Sequence, residues 1–196
     1  MPRPTLHSTD AILDSARELL LEQGAASATI EAIASASGAP TGSIYHRFGS
    51  RDAMLARLWI RAVRRSQEDF LAACAARDPR LAVLGAARSI IEFCRNHPAD
   101  ARLLVSLRRE DLIQATEDDG LKAELEELNR PVEEAVVDLA RRLFGSARRR
   151  KLDRTLLATF DLPYGAARRY LIMGTPLPGH LEADVEAAVK AVIELP

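Results

Sequence analysis

A short stretch near the N-terminus, residues 38–52, combines three glycines with small hydroxyl side chains, a tyrosine, a histidine and two arginines. Hydroxyl and imidazole groups donate and accept hydrogen bonds, and guanidinium groups pair with anions. The four histidines and two cysteines of the chain do not fall into the spacing of a catalytic triad or a metal site. The stretch therefore has the chemistry of a hydrogen-bonding surface, and no catalytic residues and no metal ligands are predicted.

Residues 41–48 are expected to form a short helix with one apolar and one polar side. At about 100° per residue, Ile44 and Phe48 lie about 40° apart and share a face. The other side carries Gly42, Ser43, Tyr45 and His46. We therefore expect Ile44 and Phe48 to be buried and the polar side to point outward.

Helix signals flank this segment on both sides. Residues 10–23 have apolar positions at helical spacing and are followed by Gly24. Thr29 can cap a second, shorter helix that ends at Gly38, and Ser50 can cap a fourth helix. Two short helices joined by a tight, glycine-containing turn form a helix-turn-helix, whose second helix can lie in the major groove of DNA.

Double-stranded DNA is the partner that this arrangement indicates. Gly42 costs about 1 kcal/mol in a helix interior, which is understandable where a side chain would block close approach to DNA. Short hydroxyl side chains suit base edges, and helix N-termini suit phosphates. The predicted DNA-binding residues are Thr29, Thr41, Gly42, Ser43, Tyr45, His46, Arg47 and Arg51.

The stretch TIEAIASASGAPTGSIYHRFGSRDAML, with the amphipathic helix before it, resembles the N-terminal DNA-binding domain of the TetR family of bacterial transcriptional regulators. The resemblance covers roughly residues 8–58. It rests on Thr29, Ile33, Ala34, Gly38, Gly42, Ser43, Ile44, Tyr45, Phe48, Arg51, Asp52 and Leu55. The sequence departs from the family pattern at Pro40, where a capping serine is common, and at Arg47.

The rest of the chain also shows helical periodicity, so the predicted fold is all-α. A helix-turn-helix domain is expected over 1–52 and a helical ligand-binding and dimerisation domain over 53–196. Within the second, we expect one long helix over 117–145, with Pro131 as a point where it can bend. A polar connector over 146–153 and a helix over 154–174 that Pro163 interrupts are expected to follow.

The resemblance implies a homodimeric repressor that binds a pseudo-palindromic operator and is released by a small-molecule effector. The candidate pocket residues are Phe93, His97, Leu104 and Tyr164. An ordinary role in the core is an equally good interpretation of them. The last two helices form the dimer interface in that family, and the candidates here are Val185, Ala188, Val189 and Val192. Packing within the chain is the competing interpretation of that stripe.

Composition limits the other functions. Six arginines against one acid in residues 41–65 make a modest cationic zone. Arg3 in the N-terminal arm is a further hypothesis, as a minor-groove contact. No cofactor and no membrane segment are expected, and the predicted location is the cytoplasm. The alternative function is a helical small-molecule-binding or scaffold protein whose N-terminal corner contacts other proteins.

Overall fold

The computed structural model describes residues 7–195, and within that range it contains helices and no strand. The all-α prediction is confirmed. The first four helices are α1 (Thr9–Gln23), α2 (Ile30–Ser37), α3 (Thr41–Phe48) and α4 (Arg51–Cys74), with a 3₁₀ turn at Ala25–Ser27. The arm that carries Arg3 lies outside the described residues.

Side-chain caps set the starts of three of these helices. The Ser8 hydroxyl accepts the Ala11 N–H at 3.1 Å, and Thr29 accepts the Ala32 N–H at 3.2 Å. Ser50 accepts the Ala53 N–H at 3.1 Å. Helix α3 instead follows Pro40 without a side-chain cap, and the Pro40 carbonyl accepts the N–H of Ser43 at 2.9 Å. The departure from the family pattern at position 40 therefore leaves the start of α3 in place.

Eight further helices follow. They are α5 (Pro79–Asn96), α6 (Pro98–Ser106), α7 (Arg109–Ala115), α8 (Asp119–Glu127), α9 (Arg130–Phe144), α10 (Arg149–Leu156), α11 (Leu162–Met173) and α12 (Leu181–Glu194). The single helix expected over 117–145 is wrong, because the chain breaks between α8 and α9. Pro131 lies in the first turn of α9, where the missing N–H of proline costs nothing. The polar connector expected over 146–153 is also wrong, since α10 begins at Arg149.

The chain stays helical on both sides of Pro163, because a wider π-helical segment precedes it. A π-helical segment, Leu157–Asp161, joins α10 to α11 directly before the proline. A proline ring in a regular α-helix clashes with the carbonyl four residues earlier, here that of Thr159. The wider π turn accommodates such a mismatch without ending the helix. The Thr159 hydroxyl also donates to the Thr155 carbonyl at 2.8 Å.

The described residues group into two compact units that interleave along the chain. The first comprises residues 7–62 with Arg102–Glu126, and the second comprises Val63–Ala101 with residues 127–195. The division passes through α4, α6 and α8. The boundary at residue 52 that the sequence suggested stays a prediction.

The core of the first unit lies beneath the helix-turn-helix. Helix α2 packs against both α1 and α3. Ile12, Ile33, Ile44, Met54 and Leu58 are fully buried. Two ion pairs on the surface join α4 to α1, since Arg61 donates to Asp10 at 2.9 Å and to Asp14 at 2.6 Å.

The second unit is built around α5, which packs against α9, the π segment, α11 and α12. Small side chains along α5, such as Ala82 and Ala86, allow these helices to approach closely. Arg88 and Arg95 of α5 form ion pairs with Glu182 of α12 at 3.3 and 3.0 Å. Helix α12 is thus held to α5 by both apolar and ionic contacts.

Because both cysteine thiols are buried, we expect the stability of the protein to change at alkaline pH. Burial raises the pKa of both thiols, Cys74 and Cys94, from 9.0 to about 11. The folded state therefore keeps a proton that the unfolded chain loses above pH 9. We expect urea unfolding to show stability that falls between about pH 9 and pH 11. The double variant Cys74→Ala, Cys94→Ala should show a shallower fall, and an identical pH profile would contradict this assignment.

Candidate nucleic-acid interface

Helix α3 has the two faces expected from its periodicity. Ile44 is fully buried and Phe48 is 4% exposed, while the Tyr45 side chain is 48% exposed. Thr41, Gly42 and His46 are exposed, and Ser43 is half-buried. The apolar pair holds α3 against the core, and the polar face of α3 is therefore exposed to solvent in a fixed orientation.

Glycines with a positive φ lie on both sides of this helix. Gly38, in the turn before α3, has a φ of 68° and Gly49, directly after it, has a φ of 77°. Residues other than glycine rarely adopt such values. The Gly49 N–H bonds to the Tyr45 carbonyl at 2.8 Å, which ends the helix and lets α4 begin two residues later.

Gly42 differs from these two because it has no conformational reason to be glycine. It lies within α3 and is not among the glycines with a positive φ, and a Cβ atom built on it meets no atom within 4 Å beyond its chain neighbours and the backbone of its own helix. Neither backbone conformation nor packing within the chain therefore requires glycine here. The space next to this residue is open to a partner.

Thr29 is exposed at the start of α2, where its hydroxyl oxygen caps the helix. The same hydroxyl retains its own proton and can donate a hydrogen bond to an acceptor outside the chain. Thr29 and the α3 residues belong to the same unit, and α2 packs against α3. Thr29 and the predicted α3 residues are thus carried by two adjoining helices.

Arg47 and Arg51 both donate hydrogen bonds to backbone carbonyls of the first unit. The Arg47 Nη1 group donates to the His7 carbonyl at 2.6 Å. Arg51 donates through Nε to the Ala28 carbonyl at 2.8 Å and through Nη2 to the Ala25 carbonyl. These partners are backbone atoms distant in sequence, and they could not be predicted because every residue has a carbonyl. The assignment of both arginines as DNA contacts stays a prediction.

Much of the positive charge of residues 41–65 is balanced inside the chain. Arg51 also pairs with Asp52 at 2.9 Å, and Arg61 pairs with Asp10 and Asp14. Arg65 pairs with Asp100, a carboxylate that is 1% exposed. The positive electrostatic potential of residues 41–65 is therefore weaker than the count of arginines suggests.

Of the four candidate pocket residues, the structure brings Phe93 and His97 into contact. Phe93 is buried on α5 and its ring lies 5.6 Å from that of His97, which is exposed at the end of the same helix. Tyr164 is half-buried and stacks on Phe160 at 5.5 Å, and Leu104 belongs to the first unit. An open cleft of about 560 Å³ in the second unit has other lining residues. They are Arg77, Asp78, Pro79, Arg80 and Leu143.

The predicted dimer stripe on α12 divides between the core and the surface. Val185 is 5% exposed and Val189 is fully buried, whereas Ala188 is exposed and Val192 is half-buried. The buried pair packs within its own chain. A set of exposed apolar side chains on α10, the π segment and α11 was not predicted, although the LIMG run at residues 171–174 indicates part of it. They are Leu156, Leu157, Phe160, Ile172 and Met173.

Comparison with known proteins identifies the N-terminal helices. Residues 12–58 match the family model described as bacterial regulatory proteins, tetR family. This range spans most of α1, all of α2 and α3 and the start of α4. The match places these N-terminal helices among the domains that the tetR family model describes. A search of curated proteins found no match.

Solved structures of regulators share the fold over nearly the whole chain. The regulator PfmR from Thermus thermophilus is 17% identical with a TM-score of 0.70, over 93% of this chain and 96% of that one. FadR from Bacillus halodurans, a fatty acid degradation regulator, is 16% identical with a TM-score of 0.72, over 95% and 98%. FadR from Bacillus subtilis, in complex with stearoyl-CoA, is 13% identical with a TM-score of 0.69, over 95% and 98%.

The predicted fold class is therefore confirmed as an N-terminal helix-turn-helix domain followed by a TetR-type helical domain. The family model describes regulatory proteins, and two of the solved structures of this fold are named as transcriptional regulators. Across residues 7–195, no helix has both the length and the apolar character needed to cross a bilayer.

Proposed function

We propose that this TetR-family chain is a homodimeric repressor that binds a pseudo-palindromic operator and leaves it when a small-molecule effector binds. The observation that carries the DNA-binding role is the outer face of α3. It presents short polar groups around Gly42, where a Cβ atom would meet only open space. Such a surface permits close approach of a helix to base edges in the major groove.

The exposed apolar side chains of α10, the π segment and α11 support a dimer. Ile172 is 56% exposed and Met173 is 71% exposed. Soluble chains seldom leave several large apolar side chains open to water unless another surface covers them. On α12, exposed alanines recur at Ala183, Ala187 and Ala191, and small residues at this spacing allow a second helix to pack closely. We assign the interface to these surfaces, together with the predicted Ala188 and Val192.

The effector role has support from the relatives. The Bacillus subtilis FadR structure holds stearoyl-CoA in a chain of the same fold. Release then follows if the effector binds more tightly to a conformation that fits the operator poorly, with a coupling of about 1–3 kcal/mol between the two sites. Binding to an operator requires a cytoplasmic location.

Selection of bound duplexes from a random-sequence pool tests the proposal directly. Full-length protein is expected to enrich a two-fold symmetric site, with half-sites about 34–36 Å apart or somewhat more. The affinity for that duplex should fall steeply as salt rises, because phosphate neutralisation releases counterions. An unrelated duplex of the same length serves as the control.

Two outcomes would count against the proposal in different ways. Enrichment of a site without two-fold symmetry would contradict the homodimer while leaving DNA binding intact. Failure to enrich any duplex would contradict the regulator itself and favour a helical scaffold that uses its N-terminal corner for protein contacts.

A further inference from the structure

Arg51 begins α4 and belongs to the predicted DNA-binding set. Its side chain is only 32% exposed. Three of its five N–H donors point into the unit. The Nε group donates to the Ala28 carbonyl at 2.8 Å, Nη2 donates to the Ala25 carbonyl, and Nη1 donates to the Asp52 carboxylate at 2.9 Å. The charge of Arg51 is therefore both balanced and directed inward.

The two carbonyls belong to the connection between α1 and α2, residues 24–29, which we call the α1–α2 loop. Gly24 enters this loop with a φ of 87°, and the Ser27 N–H bonds back to the Gly24 carbonyl at 3.1 Å. The Ala28 carbonyl is part of the peptide that leads into Thr29, the residue that caps α2. Because a peptide is planar, fixing the Ala28 carbonyl also fixes the direction of the Thr29 N–H.

We propose that Arg51 is a positioning residue: it holds the α1–α2 loop, and with it Thr29 and the first turn of α2, in the orientation that the DNA-binding surface requires. This inference rests on the proposed function, since it concerns how that surface is held. Arg51 then acts on DNA through Thr29 and α2 and is not a phosphate contact.

The geometry requires arginine and not only a positive charge. A guanidinium is a planar fork whose donors can serve two carbonyls and a carboxylate at once. The lysine ammonium is a point charge on a flexible stem and cannot span the same three acceptors. A phosphate contact makes no such demand, because either cation can serve a surface phosphate. The two roles therefore predict different behaviour for Arg51→Lys.

Operator binding by three full-length variants tests this distinction. Arg51→Lys and Arg51→Gln are each expected to lower the affinity for the selected duplex by about ten-fold or more. The slope of log affinity against log salt should stay that of the wild type in both. Arg57→Gln, on an exposed arginine of the same helix, is the matched control and should bind like the wild type. Helical content by circular dichroism confirms that each variant is folded.

A phosphate contact would give the opposite pattern. Arg51→Lys would then retain wild-type affinity, and Arg51→Gln would lower the salt slope by about one. Either result overturns the proposal. Wild-type affinity in both variants would also overturn it, because a residue that only stabilises the fold leaves the binding of folded protein unchanged.

Amide hydrogen exchange in the DNA-free protein separates this inference from the proposed function. Arg51→Gln is expected to speed exchange at residues 25–32 and to leave α3 unchanged, since the loop loses two of its anchors. Unchanged exchange in the loop would overturn the inference even if the wild type binds an operator. Failure of the wild type to bind any duplex would refute the regulator, while faster exchange would still support Arg51 as the residue that holds the loop.

Discussion

Replacement of Phe48 by alanine is expected to lower the free energy of unfolding by about 3–5 kcal/mol, because the change removes a buried aromatic ring and leaves a cavity. Phe48 is 4% exposed and shares the inner face of α3 with Ile44. Helix α3 has only eight residues and no side-chain cap, so its position depends on this pair. Urea unfolding followed by circular dichroism measures the loss, and operator binding should disappear with it.

Tyr45→Ala is the matched control for that change. It also removes an aromatic ring from α3, but from a side chain that is 48% exposed. We expect its unfolding free energy to stay within about 1 kcal/mol of the wild type, since surface substitutions are usually mild. Its affinity for the operator should nevertheless fall. Equal stability losses in the two variants would show that the assignment of inner and outer faces is wrong.

Gly42→Leu is expected to weaken operator binding by about a hundred-fold or more, or about 3 kcal/mol, without destabilising the protein. A leucine side chain at this position would occupy space that the chain itself leaves empty. Leucine is also a better helix former than glycine, by up to about 1 kcal/mol. Binding and unfolding measured on the same preparations should therefore change in opposite directions.

Gly42→Ala and Gly179→Ala complete this series. Alanine at position 42 adds one methyl group, so its effect on binding should lie between those of glycine and leucine. Gly179 lies outside the N-terminal helices and also has open space at its Cβ position, so its substitution should leave operator affinity unchanged. Wild-type affinity in Gly42→Leu would show that α3 does not approach DNA closely at this residue.

Local rules were sufficient for the elements that form the candidate interface. The capping hydrogen bonds of Ser8, Thr29 and Ser50 join residues three apart, so the sequence contains both partners. The two faces of α3 follow from the rotation of about 100° per residue, which depends on no distant part of the chain. For these reasons the helix-turn-helix and its exposed residues could be predicted closely.

Contacts between distant residues could not be predicted in this way. The Arg51 guanidinium meets carbonyls 23 and 26 residues away, and a carbonyl is present in every residue. The burial of Val185 and Val189 depends on which helix covers α12, because an apolar stripe packs equally well on its own chain or on another. The separation of α8 from α9 was missed because Pro131 was interpreted as a bend within one helix.

The π segment before Pro163 changes how the helical register must be counted along this part of the chain. A π turn closes its hydrogen bond across five residues instead of four, so each π turn inserts one extra residue into the α repeat. A helical wheel drawn continuously from Arg149 to Met173 is therefore out of phase by about 100° after Asp161. Positions for probes or crosslinks on α11 should be counted from Leu162, because a count carried over from α10 would place them on the wrong side.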